Sequence, residues 1–267
     1  MRIVSVHPTV KQSKLVMIFD VETNGLLNYK KQYSLEDSPY ILQLSYAIYD
    51  LEQKCLIKTL DSYIKVPNEV VIPEETTKIN GITKEMCNNG YPIELVLKEF
   101  YKDYHQCSTV IAHNYKFDSS MIHIEFQRSW KHFQHICPYA LNLFHPVYMK
   151  TANIRYKCTM MDSTNLCKIN HPPKPVQVAP IDISTIPLKN NTNNIPSNPV
   201  PPIYKQSYKW PSLIELHKHL FGTEPTGMHN SMVDVLVTLR CYLMLEIGNT
   251  YNSDDFQALT KHHILHP

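Results

Sequence analysis

The sequence predicts an α/β domain on a mixed five-stranded sheet flanked by helices. Two observations carry this. Three strand-like segments come first, and later strands alternate with segments of helical apolar spacing, in the order β-β-β-α-β-α-β-α-α. Right-handed crossovers then place the strand at 108–114 beside the first strand, near the centre of the sheet.

The first strand lies in KLVMIFDVETNG, residues 14–25, where six of the seven residues from Leu15 to Val21 are apolar. YILQLSYAIYD (40–50) and KCLIKTLDSYIKV (54–66) follow as a hairpin turning at Glu52-Gln53. Pro67, Pro73 and NGIT (80–83) mark a long loop. PIELVLKEFYKDYHQC (92–107) has helical spacing, with Pro92 placed to open it. STVIAHN (108–114) is a short buried strand, and FDSSMIHIEFQRSW (117–130) reads as a helix. YKCTMMDST (156–164) is a short strand running into a turn or helix. WPSLIELHKHLFG (210–222) is a helix ended by Gly222. HNSMVDVLVTLRCYLMLEIG (229–248) is a strongly apolar helix, and DDFQALTKHHIL (254–265) a last short one.

Residues 170–209 differ in composition. They are dense in Pro, Asn and Thr and read as an extended insertion in a chain that otherwise forms one domain over 1–267. Flanking the substrate path or docking a protein partner are both open to such an insertion, as is passive tolerance.

The chain has 267 residues, 43% hydrophobic and 19% charged, which suits a globular protein with a sizeable core. A net charge of +2 gives no electrostatic case for nucleic acid by itself. Seven cysteines form no CxxC pair, so neither a disulfide framework nor a zinc ribbon is expected. The start of the chain lacks an apolar core of signal-peptide length, and no stretch reaches the roughly 20 apolar residues of a membrane span. The expectation is an intracellular protein, cytoplasmic or nuclear, neither secreted nor bound to membrane.

Asp20 and Glu22 interrupt the first apolar run. Two positions apart on a strand, they share a face with Cα atoms roughly 6.6 Å apart. Like charges so placed oppose each other's ionisation unless a cation lies between them, and hard cations such as Mg²⁺ choose carboxylate oxygens. Two readings stand: a metal site at a strand end, or a strand that stops at Phe19 and a solvated DVETNG turn. Asp118 follows a central strand as either a helix-start acid or a ligand. His229 and Asp234 converge only if His229 lies in a loop and Asp234 in the first helical turn. Ser231-x-x-Asp234 supports that placement as a capping box, which is also the competing role for Asp234.

FDVETNG, ILQLSYAIYD, KINGITKEM, IAHNYKFD, CTMMDST, LIELHKHLFG and HNSMVDVLVTL resemble the successive motifs of DEDDh 3′–5′ exonucleases, the DnaQ-like group of the ribonuclease H-like fold. The resemblance runs from residue 14 to about 246, apart from the insertion, and Ser231 stands where the family commonly has Ala. It implies a catalytic set of Asp20, Glu22, Asp118, His229 and Asp234, with the four acids holding two divalent cations, Mg²⁺ or Mn²⁺. Asp20 would bridge both ions, Glu22 and Asp234 would complete one site, and Asp118 would act directly or through water. His229 would be the general base. Thr23, Asn24, Gly25 and Leu26 resemble the stretch that contacts the terminal nucleotide, and Asn114 and Ile82, in the Ile79–Ile82 loop, would line the strand's path. Leu26 is either a wedge beside the last bases or ordinary packing.

The implied activity is release of nucleoside 5′-monophosphates from single-stranded or frayed 3′ ends, with DNA favoured over RNA. An exoribonuclease trimming RNA or short oligoribonucleotides is the alternative, and a catalytically dead nucleic-acid-binding module is a third reading. The Asn-, Lys-, Ile- and Tyr-rich composition, with six glycines, points to an AT-rich genome such as that of a large DNA virus.

Overall fold

A computed structural model describes residues 13–30, 34–171, 208–248 and 253–260. Its strands are β1 (Leu15–Thr23), β2 (Ile41–Asp50), β3 (Cys55–Lys65), β4 (Tyr91–Pro92), β5 (Thr109–Ala112) and β6 (Arg155–Cys158). The helices are α1 (Glu74–Asn80), α2 (Lys84–Asn88), α3 (Ile93–Tyr104), α4 (Tyr115–Arg128), α5 (Trp130–Phe133), α6 (Pro146–Thr151), α7 (Thr159–Asp162), α8 (Thr164–Cys167), α9 (Leu213–Phe221), α10 (Ser231–Ile247) and α11 (Ser253–Thr260). The sheet order is β4-β3-β2-β1-β5-β6. β1, β2 and β3 pair antiparallel, whereas β5 joins β1 and β6 joins β5 in parallel, so the sheet is mixed and β1 lies between β2 and β5.

The alternation of β1 divides the core. Met17, Phe19 and Val21 pack with Phe100 of α3 and Ile122 and Phe126 of α4. Val16 and Ile18 face the other side, against Val235, Leu236 and Leu239 of α10. Each face has its own aromatic or aliphatic filling, for example Phe19 edge-on to Phe100 at 5.6 Å. Asp20 and Glu22 continue the parity of Val16 and Ile18, so they emerge on the α10 side.

The sheet has six strands rather than the five expected. The extra one, β4, is a two-residue parallel edge strand beside Ile64–Lys65, too short to carry a periodic signal. Gly90 permits it: a Cβ there would lie 2.5 Å from the carbonyl oxygen of Tyr63. The long loop after β3 also differs from expectation, because it contains α1 and α2. α1 buries no residue, so no apolar periodicity announces it, and its end is set by Gly81 at φ 72°. α2 is started by Thr83, whose side chain accepts the N–H of Met86. Other boundaries shift by a few residues. The hairpin turn and the Gly222 stop of α9 are as predicted, with Gly222 at φ 74°.

Most of the 170–209 insertion lies outside the described residues. Its flanks meet: the N–H of Lys209 donates to the carbonyl of Ile169 at 2.8 Å. Among the described residues no helix is long and apolar enough to cross a membrane.

Candidate active site

β1 does not stop at Phe19. It runs to Thr23, paired with β2 throughout, with a register shift after Glu22. Asp20 and Glu22 are therefore strand residues, and the solvated-turn reading fails. β5 pairs with β1 only as far as Ile18. Beyond that point Asp118, in the first turn of α4, accepts the backbone N–H of Val21. That bond carries a buried carboxylate from the helix to the level of the two strand acids.

The fourth acid arrives from the opposite face. Asp234 lies in the first turn of α10, and His229 precedes the helix at φ 67°. The His229 N–H donates to Oδ1 of Asp234 at 3.3 Å. The N-cap is Asn230, not Ser231: its side chain accepts from the N–H groups of Met232 and Val233. The capping-box reading is thus corrected, and Asp234 is free of that duty. Ligand atoms of Glu22, His229 and Asp234 all lie within 4.8 Å of one another.

Electrostatics bind the group together. Burial and then Asp234 push Glu22 up to about 7, although the Asn80 amide donates to its Oε2 at 3.3 Å and opposes the shift. Burial likewise pushes Asp234 up to about 7, opposed by the His229 N–H. Asp20 is held well above the carboxylate range by burial first, then by Asp118, Asp234 and Glu22. Asp118 is raised by burial, then by Glu22 and Asp234, against the pull of backbone N–H groups. Four acids that suppress one another's ionisation are a donor set for hard cations, which take carboxylate oxygens and neutralise exactly that repulsion. The residues fit a divalent-metal site on this ground.

The neighbouring residues sort differently. Thr23 is buried and its hydroxyl donates to the Gly25 carbonyl at 2.6 Å. Asn24 spends both ends of its amide on structure, accepting from the Tyr40 N–H at 2.7 Å and donating to the Val71 carbonyl at 3.0 Å. Gly25 has Pro39 as its nearest neighbour, 4.0 Å from where a Cβ would be. Leu26 is 87% exposed, so packing does not explain it. Asn114 holds φ 82° at the turn into α4. Ile82 is a correction: it is 1% exposed, buried with Leu42, Val66 and Val70, and presents no side chain to a passing strand. Ile79, 62% exposed, is the apolar residue of that segment that faces solvent.

The sequence reading named the Ile79–Ile82 loop but not the bond from its Asn80 to Glu22, nor Tyr29 and Lys116. The Lys116 ammonium sits 4.6 Å from the centre of the Tyr29 ring, and both line a cavity of about 480 Å³ with Leu27, Ser120, His123 and Phe144. The signal available was position alone, since Lys116 is two residues before Asp118 and Tyr29 follows the β1 loop.

The class to which the chain belongs is that of the DnaQ-like exonucleases, shown by its match to a family model. The chain belongs to the exonuclease family RNase_T, which it matches over residues 17–171. It is 30% identical over 112 residues to the PolC-type DNA polymerase III of Streptococcus sanguinis (strain SK36), which covers 42% of this chain and 7% of the polymerase. The corresponding polymerase of Streptococcus suis (strain 98HAH33) is 29% identical over 113 residues, again 42% and 7%. Among solved structures, Escherichia coli exonuclease I in complex with a dT13 oligonucleotide superposes with a TM-score of 0.54 at 17% identity, over 87% of this chain and 41% of that one. A zinc-ion-bound form of the exonuclease I–ssDNA complex gives 0.54 at 15%, over 94% and 43%. The chain spans well under half the length of these relatives.

Proposed function

We propose that the chain is a metal-dependent 3′–5′ exonuclease that removes nucleotides from single-stranded or frayed DNA and releases nucleoside 5′-monophosphates. The observation that carries this is the convergence of Asp20, Glu22, Asp118 and Asp234 with His229, from β1, α4 and the start of α10, in one acidic cluster. The DNA assignment is supported by the likeness to DNA polymerases and to an exonuclease solved with oligodeoxynucleotides.

Asp20, Glu22, Asp118 and Asp234 would hold the metal, Mg²⁺ or Mn²⁺. When bound, two such ions neutralise the phosphodiester charge, lower the pKa of water and orient an in-line displacement. The chain's residues do the rest. His229 is exposed at the rim, within reach of Glu22 and Asp234, and takes the proton of the attacking water on a ring nitrogen. Leu26 stands in solvent four residues after Glu22 and abuts the terminal base, with Thr23 and Gly25 shaping the loop beneath it. Asn114 turns the chain so that Asp118 reaches the site. Tyr29 and Lys116 offer a ring and a cation to the strand upstream of the scissile bond.

Matched DNA and RNA strands, labelled at the 5′ or the 3′ end, test this with Mg²⁺, Mn²⁺ or EDTA. The expected result is stepwise loss from the 3′ end of DNA with metal, none in EDTA, and inhibition by a 3′-terminal phosphate. Faster digestion of RNA would transfer the assignment to exoribonucleases. Cleavage of closed single-stranded circles, or full activity in EDTA, would overturn it.

A further inference from the structure

β2 supplies the cross-strand partners of both strand acids: Ser45 lies opposite Asp20 and Gln43 opposite Glu22. One strand further on, Asp61 of β3 lies opposite Ser45. Directly opposed residues share a face, so a polar stripe runs under the start of α10. Ser45, Gln43 and Ser231 are all buried, and Asp61 is exposed at the far end of the stripe.

The bonds along it have one consistent direction. Oδ1 of Asp61 accepts from the Ser45 hydroxyl at 2.7 Å and from the Gln43 amide nitrogen at 2.8 Å. Ser45 has a single proton, which is spent there, so Ser231 is the donor in the 2.5 Å contact between the two hydroxyls. The Gln43 amide, fixed with its nitrogen toward Asp61, turns its oxygen to the N–H of Ser231, 3.3 Å away. Ser231, the first residue of α10, is thereby held through both backbone and side chain by the neighbours of Asp20 and Glu22. One carboxylate sets the orientation of every group in the ring.

We propose that Asp61 is a positioning residue of the nuclease site: through Ser45, Gln43 and Ser231 it sets the start of α10, and so Asp234 and His229, against Asp20 and Glu22. This rests on the nuclease reading above. Without Asp61 the Ser45 hydroxyl can rotate to donate to Ser231, and the Gln43 amide can turn its nitrogen to the Ser231 N–H. The helix start then loses its fixed place relative to β1. Groups that hydrogen-bond metal ligands directly are worth about 10–100-fold in metal affinity or activity, and Asp61, acting through Ser45 and Ser231, is expected at the low end of that range.

Both bonds end on the same oxygen, which gives a sharp test. Asp61→Asn keeps an acceptor at Oδ1 for both bonds while losing the charge, whereas Asp61→Ala loses both bonds. The full chain is compared as wild type, D61A, D61N and S231A. Mn²⁺ affinity is read by electron paramagnetic resonance, single-turnover cleavage on a 3′-labelled single strand, and folding by circular dichroism. D61A is expected to lose about ten-fold in Mn²⁺ affinity and about ten-fold in rate while retaining its secondary structure, and D61N to stay within about two-fold of wild type. S231A, which keeps the backbone bond, is expected to fall between them, and it decides the matter should D61A fail to fold. Wild-type affinity and rate in a folded D61A, or in S231A should D61A not fold, overturn the proposal, as does a loss in D61N equal to that in D61A, which would indicate a field effect of the charge. A wild-type chain that neither binds Mn²⁺ nor cleaves overturns the nuclease reading, and this one with it.

Discussion

His229 and Asp234 are joined by one bond, from the His229 N–H to Oδ1 of Asp234 at 3.3 Å, made from a backbone at φ 67°. The left-handed conformation is uncommon for a residue other than glycine, though histidine is enriched there. The proposed base is thus set beside the acid by its main chain, leaving the ring free to meet water.

Replacing His229 by Ala should therefore leave the backbone bond and the acids in place. Turnover is expected to fall by about 10²–10⁴-fold, the range for loss of a positioned general base. Mn²⁺ affinity should stay near wild type. A large loss of Mn²⁺ binding would instead make His229 a ligand.

Asp20→Asn should abolish hydrolysis and yet stabilise the metal-free protein. Asp20 is repelled by Asp118, Asp234 and Glu22, so neutralising it removes a cost of folding. A rise in melting temperature of about 2–4 °C in EDTA is expected, and a shrinking or reversal of that gain when Mn²⁺ is added. A fall in EDTA would show that the carboxylates do not repel.

The pH dependence follows from the same cluster. Glu22 and Asp234 are each raised to about 7 from ordinary carboxylate values. A raised acid favours the folded state fully below its unfolded pKa and loses that advantage as pH climbs through the folded one. The metal-free protein should therefore lose stability from about pH 4 to pH 7 through these groups. Saturating Mn²⁺ should flatten the slope, because it binds the ionised form. Melting curves across that range, with metal and with EDTA, provide the check, and parallel slopes would count against a shared metal site.

The insertion should be separable from the fold. Because Lys209 and Ile169 already meet, replacing residues 172–205 with a short Gly/Ser linker closes no new distance. The shortened chain is expected to keep its melting temperature and its cleavage of a dinucleotide. Weaker binding of long strands, with a flatter salt dependence, would show that the lysines of the segment meet phosphate. Unchanged behaviour on both substrates would mark it as passive.

Much of the site was legible because it depends on local parity and chain order. Asp20 and Glu22 share a strand face by their spacing, Asp118 follows a strand, and His229 precedes the helix of Asp234. What sequence missed depends on distant partners. Ile82 lies in an exposed-looking NGIT segment, yet Leu42 and Val66 bury it. Ser231 read as a cap because its spacing to Asp234 fits one, but its hydroxyl is claimed by Ser45, 186 residues away in sequence. Asn24 looked available to substrate until Tyr40 and Val71 occupied its amide. α1 and β4 were invisible because one buries nothing and the other has two residues.

The position of β1 between two hydrogen-bonded neighbours has a kinetic consequence. Amide exchange and proteolysis report openings that begin at sheet edges and chain ends, and a central strand opens only with the whole domain. Val16–Ile18 form that doubly paired centre, and Asp20 and Glu22 extend past it, paired to β2 alone. The amides of Val16–Ile18, paired on both sides, should therefore be among the last to exchange, whereas Asp20 and Glu22, beyond the end of the β5 pairing and held by β2 alone, should exchange sooner, so that the site end of β1 opens ahead of its centre.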